Sequence, residues 1–220
     1  MNQLHKIQLL IHKELQVEWR QRSTFAAILI YIVSTVFISY LSFKKITHVP
    51  TWNALFWINM VFAAINAIAK SFMNESHGRQ LYYYSLFNPG EIILAKTIYN
   101  TLLMLTLSVV SLFFYVLFLG GVDANWPVFI LITVLGSAGL AISLTLISAI
   151  TSKTAQNTAL MAILSFPVLI PLLMTTIKAS KLAADGIEWA ACSQYVLILL
   201  ALDIIASLMV FILFPHLWKD

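Results

Sequence analysis

Six long stretches of apolar residues constrain this chain more than any other feature of its sequence. A helix that crosses the hydrocarbon core of a bilayer needs roughly 20 consecutive, mostly apolar residues. Helices are expected because every backbone polar group in lipid must find its partner within the protein. The chain is therefore predicted to be an all-α polytopic membrane protein with six transmembrane helices. The predicted spans are residues 23–43, 52–72, 97–119, 127–150, 157–177 and 195–214.

The composition excludes several classes of soluble protein. Hydrophobic residues make up 60% and charged residues 10% of the 220 residues, whereas soluble domains carry about 25% charged residues. A soluble chain of this length could not keep so much apolar surface from water. A secreted domain, a disordered chain and an ordinary cytosolic enzyme are therefore excluded. The single cysteine, Cys192, excludes an internal disulfide and a cysteine-based zinc cluster.

The distribution of basic residues predicts the orientation of the spans. With the N-terminus in the cytoplasm, nine lysines and arginines, Lys96 among them, fall in inner segments and four fall in outer loops. This distribution follows the positive-inside rule. Both termini are predicted to be cytoplasmic, with a short tail at 215–220. The net charge of +4 is typical of such topology signals, and we expect no nucleic-acid partner.

The N-terminal segment, residues 1–22, is expected to form an amphipathic helix outside the bilayer core. At about 100° per residue, Leu4, Ile7, Ile11 and Leu15 fall on one face of this helix. Such a helix lies flat at the inner membrane surface. It would serve either as an elbow that positions the first span or as a generic interfacial anchor.

The connection between the second and third spans, residues 74–91, mixes charge with an aromatic run. It ends in Asn-Pro-Gly at 88–90, which is a turn signal. Tyrosines suit a membrane interface, where the ring is in apolar surroundings and the hydroxyl is wet. Two interpretations stay open: an interfacial belt, or a short helix that binds a cytoplasmic partner.

Polar residues and prolines occur at membrane depth. Asp203 lies near the middle of the sixth span, where a charge costs about 2.5–3.5 kcal/mol, so it should face protein or water. It would act as a gate or relay, or as a packing residue. Asn59 and Asn66 are expected to form hydrogen bonds between helices. Pro167 and Pro171 predict a bent fifth span, either a hinge or a static kink.

Small and aromatic residues in the spans predict packing. The run Gly-Ser-Ala-Gly at 136–139 permits close approach of neighbouring helices. Trp52 and Trp126 fall at predicted outer edges and are expected to form an aromatic belt.

The sequence carries no recognisable catalytic motif. It has no phosphate-binding G-x-x-x-x-G-K-[ST] loop, no H-E-x-x-H and no G-x-S-x-G. No metal site is predicted, because the sequence has no cluster of cysteines and histidines. Six spans without catalytic groups favour a conduit or a mechanical device that another protein powers.

Together these features resemble a known family. An interfacial helix with K-E-L-Q-V-E-W-R at 13–20 precedes six spans, the loop is followed by I-I-L-A-K at 92–96, and the fifth span carries F-P-V-L-I-P-L-L at 166–173. Over nearly its whole length the chain is similar to the cytochrome c maturation protein B (CcmB, haem exporter protein B) family. Its members are permease subunits of ABC transporters of the type-2 exporter kind. The family often carries Gly-Thr-Leu-Glu where this chain has Gly-Arg-Gln-Leu at 78–81.

The resemblance implies partners, cargo and location. Two copies would pair with two copies of a separate ATPase, CcmA, and work with CcmC, CcmD and the haem chaperone CcmE in the bacterial cytoplasmic (inner) membrane. ATP hydrolysis on the ATPase would drive haem export or release of the haem-loaded chaperone. The chain itself would be non-catalytic, with haem as a possible cargo and ATP bound on the partner.

The resemblance also implies site residues. The fifth span, bent at Pro167 and Pro171, would act as the hinge that transmits or lines the conformational change. Independently of the resemblance, Asp203 is a candidate gating residue, and His48, on the outer side, is the histidine to test for haem contact. Two other functions stay open: a type-2 ABC permease for another lipid, glycan or drug, and a non-transporting assembly scaffold. The coupling helix would lie within 74–90 and contact the ATPase through Glu75, His77, Gly78, Arg79, Tyr82 and Tyr83.

Overall fold

The computed structural model describes residues 3–20, 22–44, 46, 48–68, 70–73, 86–153 and 158–219. Within these ranges every regular element is an α-helix, and all but one of the helices have 18 residues or more. The helices are α1 (Gln3–Arg20), α2 (Arg22–Phe43), α3 (Val49–Ile68), α4 (Lys70–Met73), α5 (Pro89–Leu119), α6 (Trp126–Lys153), α7 (Thr158–Ala184) and α8 (Trp189–Lys219).

Six of these helices, α2, α3 and α5 to α8, are long and apolar enough to cross a membrane. The predicted class, an all-α polytopic membrane protein, is confirmed. Several helices run beyond the apolar stretches. For example, α5 begins at Pro89 and α8 at Trp189. The candidate spans are Phe25–Phe43, Val49–Ile68, Pro89–Leu119, Trp126–Ser152, Ile163–Ala184 and Trp189–His216.

The start of α5 differs from the predicted turn at Asn-Pro-Gly. The backbone N–H of Asn88 donates to Glu91 Oε2 at 3.0 Å, so the Glu91 side chain caps the first turn of the helix. Pro89 occupies the first helical position, where its missing N–H leaves no hydrogen bond unmade. The three residues that signal a turn therefore lie at the start of α5. With 31 residues, α5 is as long as α8, and these two are the longest helices described.

Helix α6 lies at the centre of the bundle and packs against α3, α5, α7 and α8. A Cβ atom added to Gly136 would lie 2.6 Å from Thr176 Cγ2 on α7 and 2.7 Å from Trp57 Cη2 on α3. A Cβ atom on Gly139 would lie 2.7 Å from Leu172 Cδ1 on α7. Because these glycines have no side chain, α3, α7 and α8 pack closer to α6 than they could against any other residue. The small residues of the sequence predict this close packing.

Aromatic residues fill the end of the bundle where α3 begins and α5 ends. The ring centroid of Trp52 lies 5.0 Å from that of Tyr115 and 5.6 Å from that of Phe129. Trp52 Nε1 donates to the Gly120 carbonyl at 3.0 Å, and the Tyr115 hydroxyl donates to the Trp52 carbonyl at 2.7 Å. Trp52 is completely buried, so its predicted place in an exposed aromatic belt is wrong. Its indole N–H is satisfied by protein rather than by water or headgroups.

The loops at this aromatic end are short and bonded to one another. The Asn125 N–H donates to the Ala183 carbonyl at 2.8 Å, and Asn53 Nδ2 donates to the Ile177 carbonyl at 2.9 Å. Residues 185–188 alone connect α7 to α8, and Gly186 adopts a positive φ of 74°. Glycine suits this turn, because it takes left-handed backbone conformations without a Cβ clash.

Helix α1 packs at the opposite end of the bundle, chiefly against α5. Leu10 is buried there in a cluster that includes Phe72, Ile92 and Phe214. Leu15, on the predicted apolar face, is 49% exposed. Ile7 and Ile11, on the same predicted face, do pack against this cluster. The packed face therefore overlaps the predicted one but is turned toward Lys6 and Glu14, which pair with residues of α5.

Candidate functional site

A buried lysine connects three helices where α1 meets α5. Lys96 is only 2% exposed. Its Nζ lies 3.2 Å from Glu14 Oε1 on α1 and donates to the Ser71 carbonyl on α4 at 2.6 Å. The same nitrogen lies 4.6 Å from the centroid of the Phe72 ring, within the range of a cation–π interaction. A buried cation needs such partners, and here they come from two different helices besides its own.

Glu14 is the carboxylate of this arrangement on α1. Burial by itself raises the pKa of Glu14, but the ammonium groups of Lys96 and Lys13 outweigh burial and hold the pKa below its ordinary value. Lys13 Nζ lies 3.0 Å from Glu14 Oε1. Glu14 is therefore ionised at neutral pH and forms a charge-assisted hydrogen bond with Lys96.

A second ion pair joins the same two helices one turn of α5 earlier. Lys6 Nζ on α1 lies 3.6 Å from Glu91 Oε2 on α5, and Glu91 is 6% exposed. The same oxygen accepts the Asn88 N–H described above. We call the two pairs, Lys6–Glu91 and Glu14–Lys96, the α1–α5 joint.

The joint contacts the chain on both sides of the segment 74–85. Ser71 and Phe72, which contact Lys96, precede this segment, and Glu91 follows it. The Ser71 hydroxyl accepts from Asn100 Nδ2 at 3.1 Å, and Asn100 Nδ2 also donates to Thr145 Oγ1 on α6 at 2.9 Å. A displacement of either end of segment 74–85 would thus act on α1, α5 and α6 together.

The residues predicted to contact an ATPase fall within this segment. All six lie outside the residues that the structure describes, and their roles stay predictions. They are Glu75, His77, Gly78, Arg79, Tyr82 and Tyr83.

The predicted gating residues divide into a buried and an exposed group. Asp203 on α8 is buried next to Gly139 of α6, where an added Cβ would collide with Asp203 Oδ1. Among the described residues, that oxygen has no hydrogen-bond partner. Pro167 and Pro171 lie on the exposed side of α7, which continues through both of them. Leu172, next to Pro171, also approaches Gly139. Asp203 of α8 and the helical turn of α7 that contains Pro171 therefore meet at Gly139.

His48 lies apart from both groups. It is exposed just before α3 begins, and its Nδ1 is 3.0 Å from Thr51 Oγ1. This position is at the aromatic end of the bundle, opposite the α1–α5 joint. Its predicted contact with haem stays a prediction.

Asn59 lines a small cavity between α2, α3 and α5, whose walls are mostly apolar. Thr35 Oγ1 donates to Asn59 Oδ1 at 2.6 Å, and Asn59 Nδ2 donates to Ser111 Oγ on α5 at 3.2 Å. This confirms the predicted interhelical role of Asn59, whereas Asn66 bonds only to the Phe62 carbonyl of its own helix, among the contacts described. The cavity has a volume of about 80 Å³. Sites for drug-sized ligands measure about 300–1,000 Å³, so this cavity is too small for a molecule such as haem.

The ion pairs of the joint are the residues that the sequence analysis missed. Lys96 is one of the basic residues assigned to inner segments from the sequence. In the structure, however, it follows the buried residues Ile92, Ile93 and Ala95 along α5. A lone lysine that continues a run of apolar residues in helical register could have signalled a buried partner. Nothing in the sequence, however, identified Glu14 as that partner.

The comparison with protein families covers almost the whole chain. The family model described as "CcmB protein" matches residues 5–216. No curated protein matches the chain. The matched range includes most of α1, both ion pairs of the joint, segment 74–85 and all six candidate spans. The chain belongs to the CcmB family, and it is therefore a multi-pass membrane component of the haem-export ABC transporter of cytochrome c maturation.

Proposed function

We propose that this chain is the non-catalytic permease subunit that couples ATP hydrolysis on a separate CcmA-like ATPase to movement within the membrane. The output of that movement is haem export or release of the haem-loaded, CcmE-like chaperone. The family match over residues 5–216 carries this proposal. The geometry of the α1–α5 joint supports it, because the joint contacts the chain at Ser71, before segment 74–85, and at Glu91, after it.

The ATPase binds segment 74–85 on the cytoplasmic side in this proposal. Two copies of the chain assemble with two ATPase subunits and with CcmC-like and CcmD-like membrane proteins, and both termini are cytoplasmic. Glu75 and Arg79 supply charged contacts to the ATPase, and Tyr82 and Tyr83 supply aromatic ones. Haem is cargo, and ATP is bound by the partner.

The gating part of the proposal concerns α6, α7 and α8. Asp203 and the turn that follows Pro171 converge on Gly139. A carboxyl group at membrane depth is energetically costly, and such groups usually mark functional sites. The two prolines also leave carbonyl groups of α7 without their usual hydrogen-bond donors. We propose that α7 changes its bend during the transport cycle, and that this change takes place where Asp203 and Leu172 meet Gly139.

A deletion strain tests the proposed function. A haem-stained gel of its membranes should lack c-type cytochromes, and the wild-type chain should restore them. Normal c-type cytochromes in the deletion strain would contradict the proposal and favour a permease for another lipid, glycan or drug. Maturation that persists with an ATPase unable to hydrolyse ATP would instead indicate an assembly scaffold.

Two sets of variants test the residue assignments. Glu75→Lys with Arg79→Glu should leave the chain in the membrane but uncouple ATP hydrolysis from cytochrome maturation, and normal coupling would reject the assignment. His48→Ala should lower haem recovered with the purified complex. His216→Ala is the matched control, because His216 is also exposed but lies at the opposite end of the bundle. Equal haem recovery from both variants would exclude His48 as a contact.

A further inference from the structure

The α1–α5 joint has the features of a contact that opens and closes. We propose that it is a latch, which α1 releases from α5 and re-forms once in each transport cycle. This inference rests on the proposed function, since it assumes a cycle driven by an ATPase. It assigns Glu14 and Lys96 as positioning residues of that cycle.

Three of the four ions of the joint, Glu14, Lys96 and Glu91, keep a partner on their own side when the joint opens. Glu14 has Lys13 beside it on α1, 3.0 Å away. Lys96 has the Ser71 carbonyl at 2.6 Å and the face of the Phe72 ring. Glu91 has the Asn88 N–H. Separation of α1 from α5 therefore leaves none of these three buried charges bare, which is the usual obstacle to breaking a buried ion pair.

The ion pairs are not needed to hold α1 in place. The joint adjoins an apolar cluster in which Leu10 of α1 packs with Ile92 and Phe72. Replacing a buried ion pair by apolar side chains of similar size is often neutral or stabilising. Charged pairs at this position would thus add little to adhesion, but they specify one register of α1 on α5 and permit its reversible release.

The placement of the joint fits a latch that responds to segment 74–85. Lys96 binds the chain at Ser71, just before the segment, and the pair Lys6–Glu91 lies just after it. Helix α1 rests chiefly on α5, so few other contacts must break when it moves. A pull on segment 74–85 would shift Ser71 or Glu91 and loosen α1 from α5.

A permanently closed joint tests the latch. The double variant Glu14→Leu/Lys96→Met replaces the ion pair by apolar contact, which should hold α1 on α5 throughout the cycle. We expect thermal stability equal to or above that of the wild-type complex and unchanged recovery of the ATPase. Matured c-type cytochromes should fall about tenfold or more, the size of a lost coupling between sites. The matched control is Gln8→Leu, which adds an apolar side chain on the exposed face of the same helix.

Two results with these variants would contradict the latch. Normal cytochrome maturation in a stable Glu14→Leu/Lys96→Met complex would overturn the latch, because the joint would then have no need to open. The conservative variant Glu14→Asp keeps the charge and should restore most of the maturation that Glu14→Ala loses. Equal loss in both variants would also count against a role that depends on the charge.

A distance measurement decides the question if the double variant does not fold. Spin labels at Gln8→Cys on α1 and Ile98→Cys on α5, in a Cys192→Ala background, report the separation of the two helices in the full complex with its ATPase. The separation should change by more than about 2 Å between the nucleotide-free and the ADP–vanadate-trapped states. An unchanged separation overturns the latch even when the deletion strain lacks c-type cytochromes. Normal cytochromes in that strain overturn the proposed function and, with it, the cycle that would open the latch.

Discussion

Substitution of Gly136 by alanine should destabilise the bundle, because two neighbouring helices, α3 and α7, leave no room for a methyl group at this position. The added Cβ would lie 2.6 Å from Thr176 Cγ2 and 2.7 Å from Trp57 Cη2. Neither neighbour can move away easily. Trp57 is 1% exposed, and its Nε1 donates to Ser180 Oγ at 2.8 Å. Thr176 Oγ1 donates to the Leu172 carbonyl at 2.7 Å, which fixes its side chain.

The magnitude follows from two opposing effects. Overpacking a tight core by one methyl group costs about 1–3 kcal/mol, and the fixed neighbours place Gly136→Ala near the upper value. Alanine is better than glycine in a helix interior by roughly 0.5–1 kcal/mol. The net loss in the free energy of unfolding should therefore be about 2 kcal/mol, which lowers the ratio of folded to unfolded chain by about 30-fold.

Gly90→Ala provides the matched control for this prediction. Among the residues that the structure describes, and apart from the glycine's own helical turn, no heavy atom lies within 4 Å of a Cβ atom built on Gly90. Gly90 lies in the first turn of α5. Alanine there should leave stability unchanged or raise it by up to about 1 kcal/mol. The free energy of unfolding is measured by titration of the purified chains with SDS in mixed micelles, followed by tryptophan fluorescence. A Gly136→Ala chain as stable as the Gly90→Ala chain would refute the packing argument.

Three further predictions concern the joint and the membrane interior. Because the pKa of Glu14 is depressed in the folded chain, its ion pair stabilises α1 above the ordinary pKa of 4.5 and loses that effect as the pH falls through the folded pKa. Hydrogen exchange of α1 should rise there, and Glu14→Gln should remove the pH dependence. Lys96→Met should cost no more than about 1 kcal/mol in SDS titration, because Lys13 Nζ stays 3.0 Å from Glu14 Oε1; a loss of about 3 kcal/mol would show that Glu14 is left without a counter-ion and would contradict the latch. Asn59→Leu should lose about 1 kcal/mol from two interhelical hydrogen bonds, whereas Asn66→Leu should change stability little, and equal losses would contradict the assigned contacts.

The sequence predicted the helical class and the number of spans because apolar length is a local property. It also predicted the contact made by Asn59 and the close packing at Gly136, since polar amides and small residues in lipid have few other uses. These inferences need only the position of a residue within its own helix. They do not require knowledge of which helices are neighbours.

The contacts that depend on the arrangement of helices could not be predicted. Trp52 lies at the end of its apolar stretch, where tryptophan is typical of an interface, yet the bundle closes over it. A count of basic residues between the spans places Lys96 in an inner segment. In the folded chain, however, α1 packs onto α5 and buries Lys96 against Glu14. The predicted face of α1 is only partly right for the same reason, because Ile7 and Ile11 pack against the bundle but Glu14 also packs inward toward Lys96. Pairing across 82 residues of sequence is set by tertiary structure alone.

The bonded loops at the aromatic end have a consequence for where the bundle can bend. Trp52, Tyr115, Asn125 and Ala183 join the ends of α3, α5 and α7 to one another and to the start of α6. Rotation of any of these helices at that end would break several buried hydrogen bonds at once, whereas the end near α1 is held by charges that have alternative partners. In the proposed cycle the aromatic end would act as a pivot, so that a small displacement near Lys96 would tilt whole helices rather than slide them along one another.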